Sequence, residues 1–201
     1  MARPSQAKAN LIQAAADLIW ENSYGSTSVD DICARAEVRK GSFYHFFESK
    51  AHLTIATIKA GRAKHFPELN EIFSPLVAPL ERIRRYAAYV LRQQEERRAS
   101  TRHVCGCPLS SLGSEVGNQD ENIRTHIIEI FASHLVFYES AIRDAARAGL
   151  IDGTDSACKA QMLQHYVSGT LTHARVLNDL APVRDMARAM LSILGAPNQP
   201  A

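Results

Sequence analysis

Apolar residues recur at every third or fourth position along nearly the whole chain, and almost nowhere do they alternate singly with polar ones. A period near 3.6 belongs to helices with one buried stripe, whereas strands would show a period of two. The sequence therefore predicts an all-α chain of about nine helices, which must bury their stripes against one another.

The expected helices follow from the stripes and their end signals. A first helix spans about Ser5 to Asn22, with Leu11, Ile12, Ala15, Leu18 and Ile19 on one face, and residues Asn22 to Thr27 break it. Ser28 is placed to cap a short second helix, with Asp31 in the capping-box position and Val29, Ile32, Cys33 and Ala36 as its apolar face. Glu37, Val38 and Arg39 form a tight connection to a third helix, Lys40 to Phe47, on which Phe43 and Phe47 share a face. Ser49 caps a fourth, carrying Leu53, Ile55, Ala56 and Ile58 to a bend expected near Pro67.

The segment SPLVAP, 74 to 79, reads as the boundary between two regions, and Pro79 suits the first turn of a helix running to about Arg98. Shorter and longer helices follow at about Pro108 to Val116, Gln119 to Ala148 with Gly149 as its stop, Thr154 or Asp155 to Asn178, and Pro182 to Leu194. The tail from Gly195 to Ala201 reads as frayed.

Composition sets limits on function. With 46% hydrophobic and 22% charged residues in 201, the chain can bury a sizeable core. No run approaches the eighteen or so apolar residues of a membrane span, and the first twenty lack the features of a signal peptide, so a cytoplasmic location is expected, with no membrane partner. The net charge of +2 is unevenly spread: residues 1 to 65 hold nine Lys and Arg against six Asp and Glu. Four cysteines in such a chain are expected as thiols.

Two short helices joined by a turn of three residues, with a supporting helix before them, make a helix-turn-helix, whose second helix enters the major groove of double-stranded DNA. Residues 39 to 50, RKGSFYHFFESK, fit that second helix. Phe43 and Phe47 anchor it, and the polar residues before and between them are presented outward. Arg39 and Lys40 can donate to guanine or phosphate, Gly41 permits close backbone approach, and Ser42 can reach a base edge or phosphate. Tyr44 and His45 offer a phenol and an imidazole to phosphate, with Thr27 or Ser28 and Lys50 as further phosphate contacts.

The segment TSVDDICARAEVRKGSFYHFFESKAHL resembles the DNA-binding region of the tetracycline-repressor (TetR) family of bacterial transcriptional regulators, through the joint spacing of Ile32, Ala36, Gly41, Phe43, Tyr44, Phe47 and Lys50 after a Thr-Ser start. GCPLSSLGSEVG, 106 to 117, resembles a motif of one subset of that family. The resemblance implies a DNA-binding domain over 1 to 48 and a ligand-binding and dimerisation domain over 49 to 201. It implies a non-enzymatic regulator, most often a repressor released from its operator by a small molecule, and a homodimer built as a four-helix bundle. Glu37 and Ser23 depart from the family, standing where glycine is common in positions that favour left-handed backbone.

The dimer surface is expected on the last two helices, at Met162, Val167, Gly169, Thr170, Ala174, Met186, Met190 and Leu191. An effector pocket is expected among Tyr86, Tyr89, Cys107, Phe131, Leu135, Tyr138 and His165, although the same stripe reads first as core. HVCGC, 103 to 107, lacks the fourth ligand and paired motif of a structural zinc site, and neither metal nor cofactor is expected. Cys107, just before Pro108, reads either as a reactive thiol sensing electrophiles or as a small residue lining a helix junction. A helical enzyme using Cys107 as nucleophile with His103 or a distant His as base, and a helical adaptor without DNA activity, are the alternatives; the first lacks an orienting third group and an oxyanion motif.

Overall fold

The computed structural model describes residues 4–197, with side chains from residue 6 onward, so the last four positions of the tail expected to fray lie outside the described residues. Ten helices and no strand occur among them: α1 Pro4–Glu21, α2 Val29–Ala36, α3 Lys40–Phe46, α4 Lys50–Ile72, α5 Pro79–Thr101, α6 Pro108–Val116, α7 Glu121–Arg147, α8 Ser156–Leu177, α9 Ala181–Arg184 and α10 Met186–Ile193. They form two compact units, one of residues 1–65 with 108–129, the other of 66–107 with 130–201. Both α4 and α7 contribute residues to each.

In the first unit, α1 packs on α2, α3 and α6, and α2 packs on α3. Leu11, Ala15, Ile32, Phe43, Leu53 and Ile123, on the stripes legible in the sequence, are fully buried there. In the second unit, α5 packs on α9 and α10, and α8 on the same two helices. Its core includes Ile83, Tyr138, Ile142, Leu163, Ala174, Met186 and Met190.

The helix ends follow the chemistry of their residues. Asp155 caps α8 by accepting from Cys158 N at 3.1 Å. Asn178 closes it in a left-handed conformation, and its side chain accepts from Val104 N at 2.9 Å. Gly149, with φ 68°, closes α7 through bonds from its own N–H to Ala146 O and from Leu150 N to Ala145 O.

Pro67, where a bend is expected, lies inside α4, which runs on to Ile72 although Pro67 has no N–H to return to the preceding turn. Two expectations are corrected. The single last helix is two, because Asp185 keeps right-handed dihedrals but its N–H reaches Ala181 O only at 3.4 Å. The connection 74–79 lies within the second unit and is pinned there by Arg82, which is 2% exposed. Its guanidinium donates to Val77 O at 2.8 Å, Pro75 O at 3.3 Å and Asp144 Oδ2 at 2.7 Å.

Candidate nucleic-acid interface

The start of α2 is capped on both sides. Ser28 accepts from Asp31 N at 3.1 Å while the Asp31 carboxylate accepts from Ser28 N at 2.8 Å, and the bonds from Ser28 hold the Asp31 carboxyl below its usual range. The end of α2 has the two bonds of a Schellman turn, from Glu37 N to Ala34 O and from Val38 N to Cys33 O. Glu37 takes φ 55°, a left-handed conformation that costs a residue with a Cβ about 1 kcal/mol. Ser23, the other departure, is not among the positive-φ residues. Its carbonyl instead accepts from the Thr27 hydroxyl at 2.7 Å.

That turn delivers α3 with Phe43 and Phe47 buried, their ring centroids 6.0 Å apart. Arg39, Lys40, Gly41, Tyr44 and His45 are exposed around this anchored pair, with Ser42 half-buried. Tyr44 rests edge-on against Phe43 at 5.1 Å and His45 against Phe46 at 4.9 Å, so both rings are steadied while their polar atoms face outward. A Cβ added to Gly41 would meet nothing within 4 Å. Lys40 is not a free cation: its Nζ lies 2.8 Å from Asp30 Oδ1, and this partner raises its pKa.

Two expected phosphate ligands are corrected. Thr27 is 1% exposed and its hydroxyl is committed to Ser23 O, so it fastens the loop rather than facing a partner. Lys50 is half-buried and donates to Tyr24 O at 2.8 Å and Thr27 O at 2.9 Å, with its ammonium 4.0 Å from the centroid of the Tyr24 ring. Burial pushes its pKa down, opposed by Glu115. Ser28 is exposed, with its hydroxyl engaged in the cap. From sequence, a lysine after a helix cap looked like a phosphate ligand; the loop carbonyls that hold it are visible only in the fold.

The second unit gathers part of the expected pocket. Tyr86 and Tyr138 meet edge-on at 5.4 Å, Tyr89 lies 6.4 Å from Tyr86, and Leu135 packs on the same core. Burial pushes the Tyr86 phenol up to about 12 and lifts Tyr138 well above its ordinary value. The Tyr138 hydroxyl has no well-formed hydrogen bond, and the polar groups acting on it are the Tyr86 hydroxyl and the half-buried Cys107 thiol.

Phe73 stacks on Phe137 at 5.1 Å, and Phe66 stacks on His134 at 6.3 Å. Burial drives the His134 imidazole down to about 4. Sequence reasoning missed Phe66, just before Pro67 on α4, Phe73, just past the end of that helix, and Phe137 on α7. His165 does not join this cluster: it is exposed and lines an open groove of about 420 Å³ with Tyr166, Gly169, His173, Pro182 and Asp185. Phe131 is half-buried and outside the packed core.

The 103–107 loop is held by Gln94, which accepts from Gly106 N at 3.0 Å and donates to Gly106 O at 3.1 Å. Gly106 has φ 69°, and a Cβ there would lie 2.9 Å from Leu171 O, so this position needs glycine. Among the described residues no three His, Cys, Asp or Glu side chains are grouped to hold a metal ion, and no helix is long and apolar enough to cross a membrane.

Most of the expected dimer surface is also corrected. Val167, Thr170, Ala174, Met186, Met190 and Leu191 are no more than 9% exposed and fill the protomer's own core, because their faces of α8 and α10 meet each other and α5. Met162 and Gly169 remain exposed, on the side of α8 that also shows His173, Val176 and Leu177.

Comparison with known proteins agrees with this architecture. Residues 11–57 match the family described as bacterial regulatory proteins, tetR family, and residues 79–190 match the tetracyclin repressor-like C-terminal domain. The chain is 32% identical over 146 residues to the transcriptional regulator AcuR of Cereibacter sphaeroides, covering 72% of this chain and 65% of AcuR. It is 26% identical over 147 residues to the HTH-type transcriptional repressor DhaR of Mycobacterium sp. strain GP1, covering 71% of this chain and 68% of DhaR. The crystal structure of regulatory protein TetR from Rhodobacter sphaeroides has a TM-score of 0.81 at 28% identity, covering 92% of this chain and 96% of that one.

Proposed function

Since this chain belongs to the tetR family of bacterial regulatory proteins, we propose that it reads a double-stranded DNA operator as a homodimer and represses transcription until a small molecule releases it. The observation that carries the DNA function is the presentation of α3: Phe43 and Phe47 fix the helix in a core while Arg39, Lys40, Gly41, Ser42, Tyr44 and His45 line its outer side, at the end of a helix capped at both ends. Arg39 and Lys40 serve as base readers or phosphate ligands, Tyr44 and His45 as phosphate ligands, and Ser28 adds a contact at the start of α2. Residues 1–48 form the DNA-reading domain and 49–201 the effector and dimerisation domain. Repression is the sense carried by the name of DhaR.

The effector reading rests on the buried Tyr86 and Tyr138 rings, which meet edge-on in the core against which the half-buried Cys107 also packs. A small apolar or electrophilic molecule taken up beside them suits that chemistry. Such a ligand acts only through its difference in affinity for two states, and a coupling of ~3 kcal/mol would lower operator binding by about a hundredfold. The dimer contact is placed on the exposed side of α8, where Met162, Gly169, Val176 and Leu177 leave apolar surface uncovered.

Selection of bound genomic fragments by the purified protein supplies the operator. Affinity should then fall steeply as salt rises, and a Tyr44→Ala, Arg39→Ala double variant should lose it. Wild-type affinity in that variant sinks the assignment to α3. For the effector, equal release of wild type and Cys107→Ser from the operator by an electrophile would reject thiol sensing and leave a non-covalent pocket standing.

A further inference from the structure

The loop between α1 and α2 has no regular structure to satisfy its backbone, and besides the local bonds of the Ser23 and Ser26 hydroxyls three side chains do so instead. Thr27 donates to Ser23 O at 2.7 Å, and Lys50 from α4 donates to Tyr24 O and Thr27 O. The third comes from α6, some ninety positions further along: the Glu115 carboxylate accepts from Tyr24 N at 2.9 Å and from Gly25 N at 2.5 Å. One oxygen serves each amide, and both bonds involve a charged acceptor, the stronger class of hydrogen bond.

Gly25 fits this arrangement by what it lacks. A Cβ there would stand 2.7 Å from Glu115 Oε1, so a larger residue would force the end of the Glu115 side chain to shift from this position. The loop then runs straight into Ser28, the cap of α2, and α2 passes through its Schellman turn into α3. Whatever fixes Tyr24 and Gly25 therefore fixes where α2 begins on α1, and so the orientation at which α3 meets a partner.

We propose that Glu115 is a positioning residue for operator reading: its carboxylate, carried on α6, holds the α1–α2 loop by two backbone amides and thereby sets the presentation of α3. The proposal rests on the reading of α3 as the DNA-contacting helix. It makes α6 a working part of the DNA-reading apparatus, although its sequence lies far downstream of the helix-turn-helix. α6 begins one residue after Cys107, so a change at that thiol has a short covalent route to the latch.

The test uses the full-length protein with amide hydrogen exchange and operator titration side by side. Glu115→Ala should speed exchange at Tyr24 and Gly25 by about tenfold or more while core amides of α1 keep their protection, and should weaken operator binding by about tenfold. Glu115→Gln should fall between, since one carbonyl oxygen can still accept. Gly25→Ala should reproduce the loss, and the Gly25→Ala, Glu115→Ala double variant should lose little more than either alone, as expected of two residues acting through one contact.

Unchanged exchange at Tyr24 and Gly25 in Glu115→Ala overturns the latch. Faster exchange with wild-type operator affinity leaves Glu115 a loop staple and overturns its role in reading. If instead Arg39→Ala with Lys40→Ala leaves operator binding intact, it is the assignment of α3 that fails. A wild-type chain that binds no duplex overturns both, and the exchange arm then reports whether the contact itself is real.

Discussion

Lys50 Nζ stands 4.0 Å from the centroid of the Tyr24 ring and donates to the carbonyl of that same residue at 2.8 Å, so a single ammonium grips both the face and the backbone of the α1–α2 loop. This gives Lys50 a testable role different from that of a phosphate ligand. Lys50→Met should destabilise the loop by about 1.5–3 kcal/mol, the range for hydrogen bonds to a charged group. It should weaken operator binding while leaving the slope of log affinity against log salt nearly unchanged. A slope reduced by about one unit would return Lys50 to the phosphate-contact class.

The exposed pair Lys40–Asp30 makes a prediction in the opposite direction. Asp30 holds the Lys40 ammonium at 2.8 Å, and a surface pair of this kind contributes little to stability. Asp30→Asn should free the cation and remove a negative charge beside α3. Binding to duplex DNA of any sequence should tighten by several-fold with a steeper salt dependence, and the thermal midpoint should move by no more than a few degrees. Salt titration of DNA binding checks this.

His134 predicts a pH dependence of folding. Burial lowers its pKa from 6.5 to about 4, so the folded state favours the neutral ring and the unfolded chain takes up a proton first as pH falls. Its contribution is present in full above about pH 6.5 and is lost progressively down to about pH 4, with a limit of roughly 3 kcal/mol. Denaturant unfolding of wild type and His134→Phe from pH 7 to pH 4 should diverge in that window. Parallel curves would show that the ring is hydrated in solution.

Two methionines separate core from surface. Met190→Ala empties a fully buried position on α10 and should cost about 2–5 kcal/mol. Met162→Arg changes a position 47% exposed on α8 and should leave protomer stability nearly intact while weakening self-association in sedimentation. A dimer undisturbed by Met162→Arg would move the contact away from this side of α8.

The sequence by itself determined the helices and the reading motif, because those depend on local rules. The capping pair Ser28 and Asp31, the stop at Gly149, and the anchoring of α3 by Phe43 and Phe47 are all encoded within a few residues of where they act. Periodicity also marked Met186, Met190 and Val167 as apolar. It did not say which neighbour would cover them, since a stripe facing α5 and one facing a second protomer look the same along the chain.

Tertiary structure alone decided the partners. It sent Thr27 inward and turned Lys50 onto the loop carbonyls. It separated His165 from Tyr86 and Tyr138 and brought Glu115 to the amides of Tyr24 and Gly25. The physical reason is that hydrogen bonding and burial are satisfied by proximity in space: an acceptor ninety residues away serves an orphaned amide as well as a near one, and nothing in the local sequence marks which will arrive.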